Sequence, residues 1–258
     1  MPTLARPEGR LYYRVDGPAG APWLAFAHAL GTDLSLWTPQ LGVLTRRFRV
    51  LRYDARGHGQ SDTPAGEYSL AQLGGDVLAL FDSLSIERAH VCGISIGGLT
   101  AQWLGVHAPE RVAHLALANT SARIGTHTSW SERIETVRRE GLAPLAESAL
   151  TRWFTAEFRA REPELTADVR ERLLATDPAG YIGCCAALRD GDLRESVSQI
   201  TAPTLVIVGE HDPVTTRADG EALVARIAHA RLLELPAAHL SNLGAAAAFT
   251  SALADFLE

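Results

Sequence analysis

Val91-Cys92-Gly93-Ile94-Ser95-Ile96-Gly97-Gly98 is the stretch that decides how this chain is read. A serine stands between glycines where an apolar segment, entered at Arg88 to Val91, passes into a helical pattern. That pattern, Ile96 to His107, carries Leu99, Trp103 and Val106 at helical spacing. G-x-S-x-G in this setting reads as a strained strand-to-helix turn that lifts the serine hydroxyl above the end of a sheet. A side chain at Gly93 or Gly97 would clash with the neighbouring backbone of so tight a turn. Ser95 is therefore the candidate nucleophile. The competing reading is a glycine-rich turn with an incidental serine, in a chain of 22 glycines. A base and an acid placed in the right order would decide against it.

Outward from the turn, strands alternate with helices. Upstream, Leu11 to Val15 (LYYRV) reads as an edge strand, and Trp23 to Ala27 (WLAFA) as a central parallel strand buried on both faces. A small-residue loop, His28 to Asp33, leads to a helix over Ser35 to Thr45. Phe48 to Tyr53 (FRVLRY) is the next strand, and Ser69 caps a helix through Leu73, Val77, Leu80 and Leu84. Downstream of the turn, Val112 to Ala118 (VAHLALA) is again a buried strand. This alternation argues for right-handed crossovers and a parallel sheet, an α/β fold.

Between Ser121 and Ser198 the strand signal disappears. Ser131 to Arg139, Leu142 to Phe158, Ala167 to Ala175 and Tyr181 to Arg189 carry helical spacing instead. The run reads as a helical lid over the sheet, against the plainer alternative of packing helices with no gating role. Strands return at Thr204 to Val208 (TLVIV) and Ala230 to Leu235 (ARLLEL). Ala218 to Ile227 and Ala245 to Leu257 are helical.

With 258 residues and 47% hydrophobic content the chain can bury one sizeable core. A net charge of -6 without a basic patch disfavours nucleic acid as a partner. All 24 basic residues are arginine, so Schiff-base lysines, Ser-Lys dyads and a phosphate-loop lysine are excluded. Cys92, Cys184 and Cys185 make an odd set that suits free buried thiols in a reducing compartment. The N-terminus lacks an apolar signal core, and no run approaches the 18 or so apolar residues of a membrane span. A cytoplasmic protein with no membrane partner is expected.

A serine hydroxyl needs a histidine to take its proton and an acid to hold that histidine in the right tautomer. Asp212 follows the TLVIV strand and His239 follows the ARLLEL strand, giving the order serine, acid, histidine, each after its own strand. Asp212 precedes Pro213 and has a rival reading as a turn former; Glu210 and Asp190 are rival acids, and eight other histidines compete with His239. The oxyanion of a tetrahedral intermediate needs donors. These are expected from the backbone N–H of Ile96 and from the loop after WLAFA, at Leu30. No His-x-x-x-His or Cys-x-x-Cys spacing suggests a metal.

The segments GISIGG, FAHALGTDLSLWTPQL, RYDARGHGQSD, GEHDPVT and AAHLSNL, with NTSARIG, RWFT and CCAALRDGDLR, resemble the 3-oxoadipate enol-lactonases, α/β-hydrolases of aromatic catabolism, over nearly the whole chain. The resemblance implies an α/β-hydrolase fold with a mostly parallel eight-stranded sheet flanked by helices and a helical cap inserted after the sixth strand. Residues 1–120 and 199–258 would form the core and 121–198 the cap. It also implies hydrolysis of an anionic five-membered enol-lactone to 3-oxoadipate, through Ser95, His239 and Asp212, without a cofactor.

The substrate carboxylate would need a cation, and in a chain without lysine the cap arginines are the candidates. Arg133 lies one helical turn from Trp130, and Arg152 precedes Trp153 and Phe154. Trp130, Arg133 and Trp153 are the expected substrate contacts; the alternative is solvated arginines beside core tryptophans. Cys184 and Cys185 are read as packing residues. His28-Ala29 stands where many relatives of the fold have His-Gly, and Ala245 to Ala248 make an unusually bland last helix. Fold and triad do not fix substrate, so a carboxylesterase, a C–C hydrolase, a cofactor-free perhydrolase and an idle ligand sensor stay open as rivals.

Overall fold

In the computed structural model, which describes residues 2–258, the central strand is WLAFA, with the chain's later strands laid down on either side of it. In chain order the elements are β1 (Thr3–Leu4), β2 (Leu11–Asp16), β3 (Trp23–Ala27), α1 (Thr38–Leu44), β4 (Arg49–Tyr53), α2 (Leu70–Ser83), β5 (Ala89–Ile94), α3 (Ile96–His107) and β6 (Val112–Ala118). Then come α4 (His127–Glu140), α5 (Ala143–Trp153), α6 (Ala156–Arg161), α7 (Pro163–Ala175) and α8 (Pro178–Asp190). The chain ends with β7 (Thr204–Gly209), α9 (Arg217–Val224), β8 (Ala230–Leu235), α10 (Ser241–Gly244) and α11 (Ala246–Phe256).

The sheet order is β1-β2-β4-β3-β5-β6-β7-β8. β2 runs antiparallel to both β1 and β4; every other neighbouring pair is parallel. The chain leaves β3 to one side for β4 and crosses to the other for β5. This reversal opens a crevice at the carboxyl ends of the central strands, where open α/β sheets bind their ligands. All six residues of β5 and of β7 are buried, as strands covered on both faces require. No helix of the described residues is long and apolar enough to cross a membrane.

Several expected elements have different limits. LYYRV is not the outer edge: Thr3–Leu4 pairs beyond it, with Thr3 opposite Tyr12. The helix over Ser35 to Thr45 divides into a 3₁₀ turn, Leu34–Trp37, capped by the Asp33 side chain, and α1, which carries Pro39 at its second position. The segment Leu142 to Phe158 divides because Phe154 is extended and buried, and Thr155 then caps a new helix by accepting from the Phe158 N–H. The last helix breaks at Ala245, whose backbone (φ -132°, ψ 47°) is not helical. Ser69 does cap α2, in a reciprocal box with Gln72.

Residues 127–190 contain five helices and no strand. Among them α8 is sewn to the core: its Gly183 carbonyl accepts from the Tyr68 N–H (3.1 Å). Its small side chains, Cys184 and Cys185 included, are buried, and both thiols are free. Burial pushes both up, Cys185 to about 12, so they stay protonated and act as packing groups.

Candidate active site

Ser95 sits between the end of β5 and the start of α3 with φ 58° and ψ -120°, a left-handed backbone rare for a residue with a side chain. The turn is held from below, where the Ser95 N–H donates to Ala118 O (3.0 Å) and the Thr120 hydroxyl donates to Ser95 O (2.8 Å). Both flanking glycines are sterically required. A Cβ on Gly93 would lie 2.0 Å from Gly97 O, and one on Gly97 would lie 2.2 Å from Ala27 O.

His239, in the loop after β8, brings Nε2 to 3.0 Å from Ser95 Oγ and Nδ1 to 2.8 Å from Asp212 Oδ2. Asp212 lies in the turn after β7. Its Oδ1 accepts from the N–H groups of Val214 (2.7 Å) and Thr215 (3.2 Å), and its Oδ2 accepts from the Thr215 hydroxyl (2.8 Å) and from Asn119 Nδ2 (3.0 Å). Burial alone would push this carboxyl up; His239 and these donors overcome it and hold it below its ordinary value. An ionised Asp212 keeps the imidazole proton on Nδ1 and leaves Nε2 free to accept from the serine hydroxyl. Neither rival acid reaches His239: Glu210 is exposed beside His211, and Asp190 pairs with Arg189.

The histidine loop is also tied to the helices above it. His239 N–H donates to Arg152 O (3.4 Å) and Leu240 N–H to Trp153 O (3.1 Å), so the last turn of α5 and the loop after β8 are positioned together.

Leu30 lies on the loop after β3 and lines the cavity in front of Ser95. Among the described residues, neither the Leu30 N–H nor the Ile96 N–H donates to a protein acceptor, so both are free to point at an oxyanion. The Ile96 side chain turns away, into a small void beside His28 and His58, leaving its N–H as its contribution. Two histidines to which sequence reasoning gave no role pin this loop. His28 donates from Nδ1 to Ala29 O (2.8 Å) and accepts at Nε2 from the Ala55 N–H (2.9 Å). His58 Nε2 accepts from the Gly31 N–H (3.0 Å) while Nδ1 lies 3.3 Å from Arg56 O. Burial, helped by the neighbouring His28, pushes His58 down to about 3, so it stays neutral and keeps that acceptor. Both histidines begin the small-residue stretches that follow strands, HALG and HGQS, which is the signal that would have found them.

The cavity, about 190 Å³, is lined by Ser95, His239 and Leu30 on the sheet side and by Trp130, Arg133, Arg152, Trp153 and Tyr181 from the helices above. The Arg133 guanidinium stacks 4.9 Å from the Trp130 ring, whose Nε1 donates to Ile124 O (2.6 Å). Burial, with repulsion from the nearby Arg133, holds the Arg152 guanidinium below its ordinary value, and both cations line the cavity. Among the described residues no carboxylate comes within 4.0 Å of either guanidinium. The structure thus gathers Ser95, His239, Asp212, Leu30, Ile96, Trp130, Arg133 and Trp153 at one site. Among the described residues, no three of His, Cys, Asp and Glu converge as metal ligands would.

Residues 22–246 match the family model described as alpha/beta hydrolase fold. A 3-oxoadipate enol-lactonase of Acinetobacter baylyi is 45% identical over 251 residues, 97% of this chain and 94% of that protein. The solved enol-lactonase of Burkholderia xenovorans superposes with a TM-score of 0.98 at 46% identity, covering 99% of both chains. A thermophilic esterase of Thermogutta terrifontis follows the same fold at 27% identity, with a TM-score of 0.91, over 99% of this chain and 96% of that one. The chain belongs to the alpha/beta hydrolase fold family and, within it, groups with the 3-oxoadipate enol-lactonases.

Proposed function

We infer that this chain hydrolyses 3-oxoadipate enol-lactone to 3-oxoadipate, a step of aromatic-compound catabolism, with Ser95 as nucleophile, His239 as general base and acid, and Asp212 as its orienting carboxylate. One observation carries the reading: a Ser95–His239–Asp212 relay at 3.0 and 2.8 Å opens into a cavity with two guanidiniums that no carboxylate neutralises. A neutral substrate would leave those two half-buried charges uncompensated, whereas a carboxylate-bearing lactone pairs with them.

The reaction then runs as follows. His239 Nε2 takes the Ser95 proton as Oγ attacks the lactone carbonyl, and the developing oxyanion lies between the N–H groups of Leu30 and Ile96. Collapse breaks the ring C–O bond; the enolate oxygen leaves, receives the proton from His239 and tautomerises to the ketone. A water deprotonated by His239 attacks the acyl-enzyme, and the new carboxylate departs as Ser95 regains its proton. Arg133, stacked on Trp130, is the residue that holds the substrate's own carboxylate, with Trp153 closing the cavity beside it. Residues 121–198 act as a cap on a core made of 1–120 and 199–258, and the three unpaired cysteines support the cytoplasm as the place of work.

The test is loss of lactone absorbance beside hydrolysis of a neutral p-nitrophenyl ester. We expect kcat/KM for the lactone between about 10⁴ and 10⁸ M⁻¹s⁻¹ and far above the ester. Ser95→Ala is expected to remove turnover with an unchanged circular dichroism spectrum; activity within tenfold of wild type would overturn the nucleophile. The similarity to an esterase favours one second reading, a carboxylesterase of wider range, and that reading holds if the ester is the better substrate.

A further inference from the structure

Asn119, the residue after β6, is wholly buried, and its backbone takes φ 42°, a left-handed conformation that Asn tolerates better than other residues with side chains. Its N–H donates to Ile207 O (2.8 Å), which fixes it against β7. From there the side chain reaches two loops and the start of a helix at once. Nδ2 donates to Asp212 Oδ2 (3.0 Å) and to Ala238 O (3.3 Å), the carbonyl immediately before His239. Oδ1 accepts from the Ser241 hydroxyl, at the start of α10. The orientation of the amide follows from chemistry: only an NH₂ can face a carboxylate and a carbonyl together, and the hydroxyl donor on the other side completes the match. Gly209 clears the space, since a Cβ there would stand 3.1 Å from Asn119 Nδ2 and 2.5 Å from the carbonyls of Ala237 and Ala238.

We propose that Asn119 is a positioning residue for catalysis. Its amide sets the distance and angle between the Asp212 carboxylate and the loop carrying His239, and its donated hydrogen bond tunes how strongly Asp212 stabilises the imidazolium. This rests on the assignment of Ser95, His239 and Asp212 given above. Among the described residues no other side chain bonds both to the acid and to the backbone beside the base; Thr215 donates to Asp212 and lies 3.5 Å from His239 Nδ1, but touches only the ring. Without its amide, Asp212 keeps the hydroxyl and backbone donors of its own turn and its bond to His239, but loses the link to the backbone of the histidine loop. Its charge is then less dispersed and stabilises the imidazolium more strongly relative to the neutral ring.

The experiment compares wild type with Asn119→Gly, which accepts the backbone angle but lacks the amide, and Ser241→Ala, which keeps Asn119 and releases its amide from the hydroxyl clamp. Active sites are counted by labelling with a serine-directed phosphonate, and kcat, KM and the pH profile of kcat/KM are expressed per labelled site. For Asn119→Gly we expect kcat to fall roughly 10- to 100-fold, as for loss of a hydrogen bond to a charged group, with KM within about threefold. The acid limb of kcat/KM should move to higher pH. Ser241→Ala should move the limb in the same direction with a smaller loss of kcat.

A purely architectural Asn119 would lower the melting temperature and the count of labelled sites while leaving kcat and the limb per site at wild-type values. That result overturns the proposal. If Asn119→Gly does not fold, the Ser241→Ala limb decides alone, and an unmoved limb there is equally fatal. Failure of the underlying assignment is distinguishable, because the wild-type protein itself would then not label at Ser95.

Discussion

At the scale of the residue, the site is made by backbone that few side chains tolerate. Ser95 stands at positive φ because β5 must turn into α3 within one residue, and the carbonyls of Gly97 and Ala27 lie where any Cβ at 93 or 97 would be. These are local sterics, and local sterics are written in sequence; hence the elbow, the acid and the histidine could be read from GISIGG, GEHDP and AAHL alone. The arginines could be nominated but not chosen, because a guanidinium beside a tryptophan looks the same in sequence whether it faces solvent or a cavity. Geometry puts both cap arginines at the cavity wall without a carboxylate partner among the described residues, and of the two Arg133 is the one set over Trp130, 4.9 Å from the ring centroid. Its removal should therefore act on substrate charge. Arg133→Ala is expected to raise KM for the lactone at least tenfold, the size of a lost charge-assisted hydrogen bond, while changing KM for a neutral ester by less than about threefold. Parallel steady-state assays on the two substrates check this, and equal effects on both would remove Arg133 from the binding site. Lysine should rescue only in part, since it supplies charge without the planar stack.

At the scale of the element, what sequence conceals is whatever depends on a partner distant in the chain. A two-residue strand such as Thr3–Leu4 has no periodicity of its own and exists because Tyr12 and Leu11 offer it a ladder. The break at Phe154 is likewise tertiary: the helical spacing continues through it, yet burying the Phe154 ring, stacked on Phe158 at 4.9 Å, outweighs one more turn of α5. The oxyanion loop is a third case. His28-Ala29-Leu30-Gly31 reads only as a small-residue loop, and two imidazoles, one from the loop itself and one from the segment after β4, hold its backbone. On the proposed reading, that support is what keeps the Leu30 N–H available to an oxyanion formed at Ser95. His58→Ala, which deletes the acceptor for the Gly31 N–H, should lower kcat for the lactone by roughly tenfold or more with little change in KM, because an oxyanion donor acts in the transition state. A fall in kcat/KM carried wholly by KM would show instead that the loop shapes substrate binding. Sequence indicated a donor from this loop and could not indicate its support, since the supporting histidine lies 27 residues downstream.

At the scale of the whole molecule, the same buried histidines set the response to acid. His58 is pushed down to about 3 by burial and by His28, and His90, packed against His114 at the other end of the sheet, is pushed down to about 4, also first by burial and then by its partner. In the unfolded chain both titrate near the ordinary 6.5. Between the two values the unfolded state binds protons that the folded state refuses. Stability is therefore fully present above about pH 6.5 and is lost progressively as pH falls toward the folded values. Asp212 and Asp33, both held below the ordinary carboxylate value, add to the loss at lower pH, while Asp54, held above it by burial, opposes them there. In the window from about pH 7 to pH 5 the carboxylates contribute little and the histidines dominate, His58 and His90 first and His114, held down by burial and Arg88, beside them. The buried His58 costs on the order of 2 kcal/mol over that window and the partly solvated His90 less, together a sizeable share of the 5–15 kcal/mol typical of a folded domain. Urea unfolding followed by circular dichroism at about pH 7, 6 and 5 should show the midpoint falling steadily, with the steepest part below pH 6.5. Replacing His90 by Leu removes one titrating group far from Ser95, and the slope of stability against pH should become shallower, by no more than about half. A midpoint that stays level down to pH 5, or a His90→Leu slope equal to that of wild type, would show that these histidines take up their protons in the folded state.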